Sequence, residues 1–216
     1  MFKQLIFDCD GVLVDTEIVA AEVMTSTFAQ FDLNITVEEY ITKYTGKTIS
    51  TLFKSLLTPA QLHSIDLQAL VHQCDVDIYN QLRPVKGVSE FIPQLKIPVA
   101  VVSNSSLWQV EKAIEYLQLN DVVKGKFSAE MVENPKPAPD VYLHAAHVLG
   151  VSPEECLVVE DSLSGVHAAS TAGMTVIGFT GASHIQDGHE HKLIEKGANY
   201  IASNATALNQ LIQELL

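Results

Sequence analysis

Asp8 and Asp10 stand one residue apart at the end of an apolar run, Leu5-Ile6-Phe7, and Gly11 follows them directly. Carboxylates in such a run cannot be buried unless something positive neutralises them, and a metal ion is the simplest candidate. Residues two apart in an extended chain share a face, so both acids point to one place. The glycine lets the backbone turn there and lets a ligand come close. A second acidic pair, Glu160-Asp161, closes another apolar run, Cys156-Leu157-Val158-Val159. An oxygen-rich pocket of this kind suits a hard cation. Mg²⁺ fits better than calcium, because it takes one or two carboxylates, keeps waters and completes its octahedron with a substrate phosphate. Ser103 and Asn104 follow the run Pro98 to Val102 and open a helix, where a hydroxyl and main-chain amides can hold phosphate oxygens. Lys136, set among Pro135, Pro137 and Pro139, adds a fixed positive charge. Once a phosphoryl group is neutralised by metal, lysine and helix amino end, a carboxylate nucleophile becomes reasonable. Asp8 is then the nucleophile. Asp10 protonates the leaving oxygen and later takes a proton from water.

These residues are scattered along the chain, so the elements around them must bring them together. After Gly87 strand-length apolar runs alternate with helical patterns, which implies βαβ units, a parallel sheet and helices on both faces. Parallel strands put their carboxyl ends on one edge, where open α/β sheets bind ligands. The runs ending at Asp8, Ser103 and Glu160-Asp161 therefore deliver their polar residues to one rim. Between Thr16 and Leu82 the pattern is helical throughout. Ile18, Ala21, Met24, Phe28 and Phe31 recur at steps of three and four, Thr36 to Glu39 has capping-box form, and Thr58-Pro59 opens a further helix. The expected fold is thus α/β, a Rossmann-like parallel sheet core formed by residues 1–15 and 85–216, with an inserted all-helical cap domain at residues 16–84. The insert begins and ends beside the rim, so it should form a lid.

Asp8-x-Asp10-Gly11, Ser103 after an apolar strand, Lys136 before proline and the pair Glu160-Asp161 resemble, in order and spacing, the four motifs of the haloacid dehalogenase superfamily. The helical insert and Asp15-Thr16-Glu17 resemble the branch that contains β-phosphoglucomutase and phosphoglycolate phosphatase. The resemblance implies an aspartyl-phosphate on Asp8 and acid/base work by Asp10. It implies Mg²⁺ held by Asp8, the Asp10 main-chain oxygen and Asp161, with Glu160 bound directly or through water. It also implies that Ser103, Asn104 and Lys136 hold the phosphoryl group. The expected activity is Mg²⁺-dependent hydrolysis of a small phosphorylated metabolite, a sugar or sugar-acid phosphate. A phosphosugar mutase is the alternative, but Ala20 stands where that branch carries a histidine, and the stretch Tyr44 to Ile49 lacks its arginine. A phosphate-sensing module without catalysis is a third reading, disfavoured by the separate cap.

Other features carry blander readings. Gly46-Lys47-Thr48 looks like the end of a P-loop, yet Ile41 stands where the first glycine belongs and no strand precedes it. It reads instead as a cap turn whose Lys47 touches substrate. His184, His189 and His191 read as a solvated loop, and Trp108 as packing beside the site entrance. A net charge of −13 over 216 residues opposes nucleic acid and anionic membranes as partners. Cys9, Cys74 and Cys156 read as reduced core residues of a cytoplasmic protein, and the first residues carry no signal-peptide pattern. A monomer is the default expectation.

Overall fold

A computed structural model describes all residues, 1–216. The chain divides into two compact units, Met1–Asp15 with Pro84–Leu216, and Thr16–Arg83.

The first unit begins with β1 (Gln4–Phe7). The second unit follows, with α1 (Thr16–Ala29), α2 (Val37–Tyr44), α3 (Ile49–Leu56), α4 (Pro59–His63) and α5 (Leu67–Asn80). The first unit resumes with α6 (Val88–Phe91), β2 (Val99–Ser103), α7 (Leu107–Tyr116), β3 (Val123–Ser128) and α8 (Asp140–Leu149). It ends with β4 (Cys156–Glu160), α9 (Leu163–Thr171), β5 (Thr175–Phe179), α10 (His189–Glu195), β6 (Tyr200–Ala202) and α11 (Ala205–Leu215). The six strands form one sheet in the order β3-β2-β1-β4-β5-β6, and every pairing is parallel. This is the α/β Rossmann-like core that the alternation of runs implies.

Register explains why the polar strand ends meet. Phe7 lies level with Val101 on one side and Val159 on the other. Asp8 is therefore one step past that level, Glu160 one, Asp161 two and Ser103 two, all at the carboxyl rim. The central strands β1, β2 and β4 are buried along their whole length, as strands covered on both faces must be. On one face Ile6, Ala100, Val102, Val158 and Val176 pack against Val141, Tyr142 and Ala145 of α8 and Val166 and Ala169 of α9.

The helical unit has its own core. Ala21, Met24 and Phe28 of α1 pack with Tyr40, Leu52, Phe53 and Cys74, and the rings of Phe28 and Phe53 meet edge to face at 5.4 Å. The sequence motif at Thr36 forms only half of a capping box. Thr36 Oγ1 accepts from the Glu39 N–H at 3.1 Å, but the Glu39 carboxylate accepts from Lys43 one turn later at 2.7 Å. Thr58 and Gln61 form the complete reciprocal pair. The three cysteines are buried and free, and no helix is long and apolar enough to cross a membrane.

Candidate active site

Asp8 leaves β1 with its N–H donating to Val159 O at 2.9 Å, which ties it to β4 as the sheet ends. Its carboxylate meets Lys136, whose Nζ lies 2.5 Å from Asp8 Oδ1, 2.7 Å from Glu160 Oε1 and 3.0 Å from Val102 O. Lys136 arrives from a loop, yet its backbone is clamped. Its N–H donates to Asn104 Oδ1 at 2.9 Å, and Asn104 Nδ2 donates back to Lys136 O at 3.1 Å. The Asn104 side chain is thus committed to the Lys136 backbone.

Glu160 is fully buried and its oxygens are well partnered. Lys136 and the Tyr142 hydroxyl, at 3.1 Å, donate to Oε1; the Ser162 N–H and hydroxyl donate to Oε2 at 2.9 and 3.0 Å. Gly165 makes this possible, since a Cβ there would lie 1.6 Å from Glu160 Oε1. Asp161, the next residue, is also buried, but its Oδ1 has no hydrogen-bond partner. Gly11, with φ +79°, makes room for it; a Cβ there would sit 1.9 Å from Asp161 Oδ2. Asp10 turns elsewhere. Its Oδ2 accepts from the hydroxyls of Ser103 at 3.2 Å and Ser105 at 2.7 Å.

Asp8, Glu160 and Asp161 offer one carboxylate oxygen each, all within 4.8 Å of one another. Three buried carboxylates beside one buried lysine leave an excess of negative charge. Burial pushes the Asp8 carboxyl well above the usual range; Glu160 and Asp161 push the same way, and Lys136 offsets only part. Burial likewise raises Asp161. Burial works against the charge on Lys136, but Asp8 and Glu160 outweigh it and keep the ammonium protonated. A cation beside Asp8 and Asp161 would cancel the repulsion and satisfy the orphaned Oδ1. The donor set is all oxygen, as a hard cation requires. The residues fit a divalent metal.

Residues 5–179 match the family of haloacid dehalogenase-like hydrolases. This chain belongs to that family. The hydrolase is similar to 6-phosphogluconate phosphatase of Escherichia coli (strain K12), with 26% identity over 189 residues covering 84% of this chain and 84% of the relative. It resembles protein CbbY of Rhodobacter capsulatus, with 32% identity over 190 residues covering 81% of this chain and 84% of the relative. A crystal structure of a HAD family hydrolase from Deinococcus radiodurans R1, with bound phosphate and sodium, superimposes with a TM-score of 0.81. The two are 27% identical, over 99% of this chain and 96% of that one.

Within the hydrolase, then, the rim of one sheet brings together Asp8, Asp10, Ser103, Asn104, Lys136, Glu160 and Asp161. Lys47 stands in the helical unit, exposed, with its Nζ 5.4 Å from the centre of the Tyr44 ring. Trp108 is 41% exposed. One expectation changes. His184 and His189 are not spread in solvent: a His189 ring nitrogen lies 2.6 Å from Asp161 O, and His184 Nε2 lies 3.4 Å from Asp161 Oδ2. The strand-end logic that located Ser103 and Asp161 applies equally to β5, and following it past Phe179 leads to this loop. Ser105 sits in the same polar run as Ser103 and was open to the same reading. Tyr142 had no local signal, because its hydroxyl finds Glu160 only through the packing of α8 on the sheet.

Proposed function

We propose that this hydrolase cleaves phosphate from a small phosphorylated metabolite, a sugar or sugar-acid phosphate, with Asp8 as nucleophile and Mg²⁺ as the cofactor. The observation that carries the proposal is the trio Asp8, Glu160 and Asp161 gathered beside the buried Lys136 in a chain of this family. The name of the 6-phosphogluconate phosphatase it resembles supports the substrate class, and the phosphate bound to the Deinococcus relative supports the ligand. Asp8 and Asp161 would hold the cation with the Asp10 main-chain oxygen, and Glu160 directly or through water. When bound, the ion supplies positive charge against the phosphoryl oxygens.

The chain's own groups do the rest. The Asp8 carboxylate attacks phosphorus, an acyl-phosphate bond forms and the ester P–O bond breaks. Asp10, steered by the Ser103 and Ser105 hydroxyls, gives its proton to the departing alcohol. It then takes a proton from the water that hydrolyses the acyl-phosphate, which regenerates Asp8. Ser103, the Asn104 main chain and Lys136 hold the phosphoryl oxygens. Lys136 is already fixed by Asn104 and Val102 O, so little ordering remains when substrate arrives. The helical unit is assigned the role of cap, with Lys47 contributing to substrate choice.

The test is phosphate release from a panel of phosphorylated sugars and sugar acids in the presence of Mg²⁺. Asp8→Asn should lower kcat by at least roughly a thousandfold with an unchanged circular dichroism spectrum. Hydrolysis at the wild-type rate by that variant would overturn the mechanism. Formation of an isomeric phosphosugar in place of free phosphate would overturn the choice of hydrolysis over mutase chemistry.

A further inference from the structure

The loop after β5 brings an imidazole to Asp161, a rim carboxylate with a buried oxygen that has no hydrogen-bond partner. His184 Nε2 lies 3.4 Å from Asp161 Oδ2, and the other ring nitrogen, Nδ1, lies 3.9 Å from Asp15 Oδ1. The His184 side chain is only 13% exposed. Asp15 is anchored in turn, because its Oδ2 accepts from the Ser183 N–H at 3.1 Å. The result is a row of carboxylate, imidazole, carboxylate, in which Asp15 lies behind the imidazole beyond hydrogen-bond reach.

Asp161 is gripped from further directions. His189 lies 2.6 Å from its main-chain oxygen, and the bare Cα of Gly11 crowds the Oδ2 side so closely that a Cβ could not be accommodated. With Oδ2 facing His184 and the backbone fixed by His189, the carboxylate has little freedom to rotate. Oδ1 is the oxygen left over, buried and without a hydrogen-bond partner, on a residue whose carboxylate groups with those of Asp8 and Glu160. A buried carboxylate oxygen without a partner is costly, and is kept where something else meets it.

We propose that His184 is a positioning residue for Asp161, holding its carboxylate by Oδ2 so that Oδ1 is presented to the divalent cation. This rests on the reading of Asp161 as a metal ligand given above. It adds that the affinity of the site for metal is set partly from the loop after β5, outside the four motifs. Groups that orient metal ligands in this way change metal affinity by about 10–100-fold when removed.

Isothermal titration of the metal-free protein with Mn²⁺, without substrate, tests the proposal. Wild type should show one site that Asp161→Asn abolishes. His184→Ala should weaken that site by about tenfold or more. His184→Gln places an amide nitrogen near the position of Nε2 and should recover much of the affinity, whereas His184→Asn is too short and should not. Wild-type affinity in His184→Ala overturns the proposal. So do equal affinities in the Gln and Asn variants, a comparison that decides the matter even where the Ala variant is poorly folded. Failure of the wild type to take up Mn²⁺ overturns the underlying assignment of the metal site and this proposal with it, and is a different result from uptake that His184→Ala leaves unchanged.

Discussion

The two sides of the sheet's carboxyl rim bury carboxylates in opposite ways. On one side Glu160 shares Lys136 with Asp8 and accepts from Tyr142 and Ser162, so its charge is matched by donors in the chain itself. On the other side Asp161, its immediate neighbour, faces a histidine with one oxygen and keeps the second without a partner. The first arrangement gives each Glu160 oxygen donors from the chain. The second leaves Asp161 Oδ1 with none. Adjacent residues of one sequence pair have thus been given different tasks by what surrounds them, and the difference can be measured.

The largest effect should come from breaking the complete side. Lys136→Met leaves Asp8 and Glu160 buried without their cation, and chemical denaturation should report a loss of about 3–5 kcal/mol. Asp161→Asn should cost the metal-free protein far less, since it removes a charge that burial already disfavours; a loss as large as that of Lys136→Met would end the contrast. Next comes metal itself. Mg²⁺ at a hundred times its dissociation constant should stabilise wild type by about 2.7 kcal/mol and leave Asp161→Asn unmoved, read as a shift of the denaturation midpoint. Gly165→Ala follows. A glycine-to-alanine change inside a helix ordinarily stabilises by about 0.5–1 kcal/mol. Here the new methyl meets the Glu160 carboxylate, and a net loss of about 1–3 kcal/mol is expected instead.

The smallest effect sharpens the comparison from outside the rim. Asp75 on α5 has its carboxyl raised by burial, partly offset by His72. Its folded pKa lies above the unfolded one, so its ionised form costs stability above the folded pKa, and that cost disappears as pH falls below the ordinary carboxylate value near 4. Asp75→Asn should therefore gain no more than about 0.2 kcal/mol at pH 7, because solvent screens a half-buried group, and nothing at pH 3, measured by melting at both.

Much of this arrangement is legible in the residues because it depends on neighbours in sequence. An apolar run that ends in Asp8, Ser103 or Glu160 announces both the strand and the rim, and parallel pairing then fixes which residues meet. Lys136 is legible through the prolines around it. What escapes is whatever depends on packing between distant elements. Tyr142 is an ordinary core residue of α8 until the sheet brings Glu160 beneath it. The pairing of the Asn104 side chain with the Lys136 backbone appears only when the loop carrying Lys136 folds back onto it. At Thr36 the local pattern was right but incomplete, because Glu39 had a stronger partner in Lys43 than in the cap. His184 and His189 escape because a polar, histidine-rich stretch resembles any surface loop unless the strand before it is followed to its end.

The chain leaves the sheet unit after Asp15 and comes back at Pro84, and just inside those points Val14 and Pro84 bridge while the Val85 N–H donates to Leu13 O at 3.0 Å. Exit and re-entry are stitched side by side before the five helices begin. The sheet's own connectivity is therefore indifferent to what is strung between them. A short turn from Asp15 to Pro84 should splice the two halves directly, and a different insert of any length should be tolerated at the same seam. Replacement of the helical unit should thus leave Asp8 and Lys136 where they are, both lying in the sheet unit.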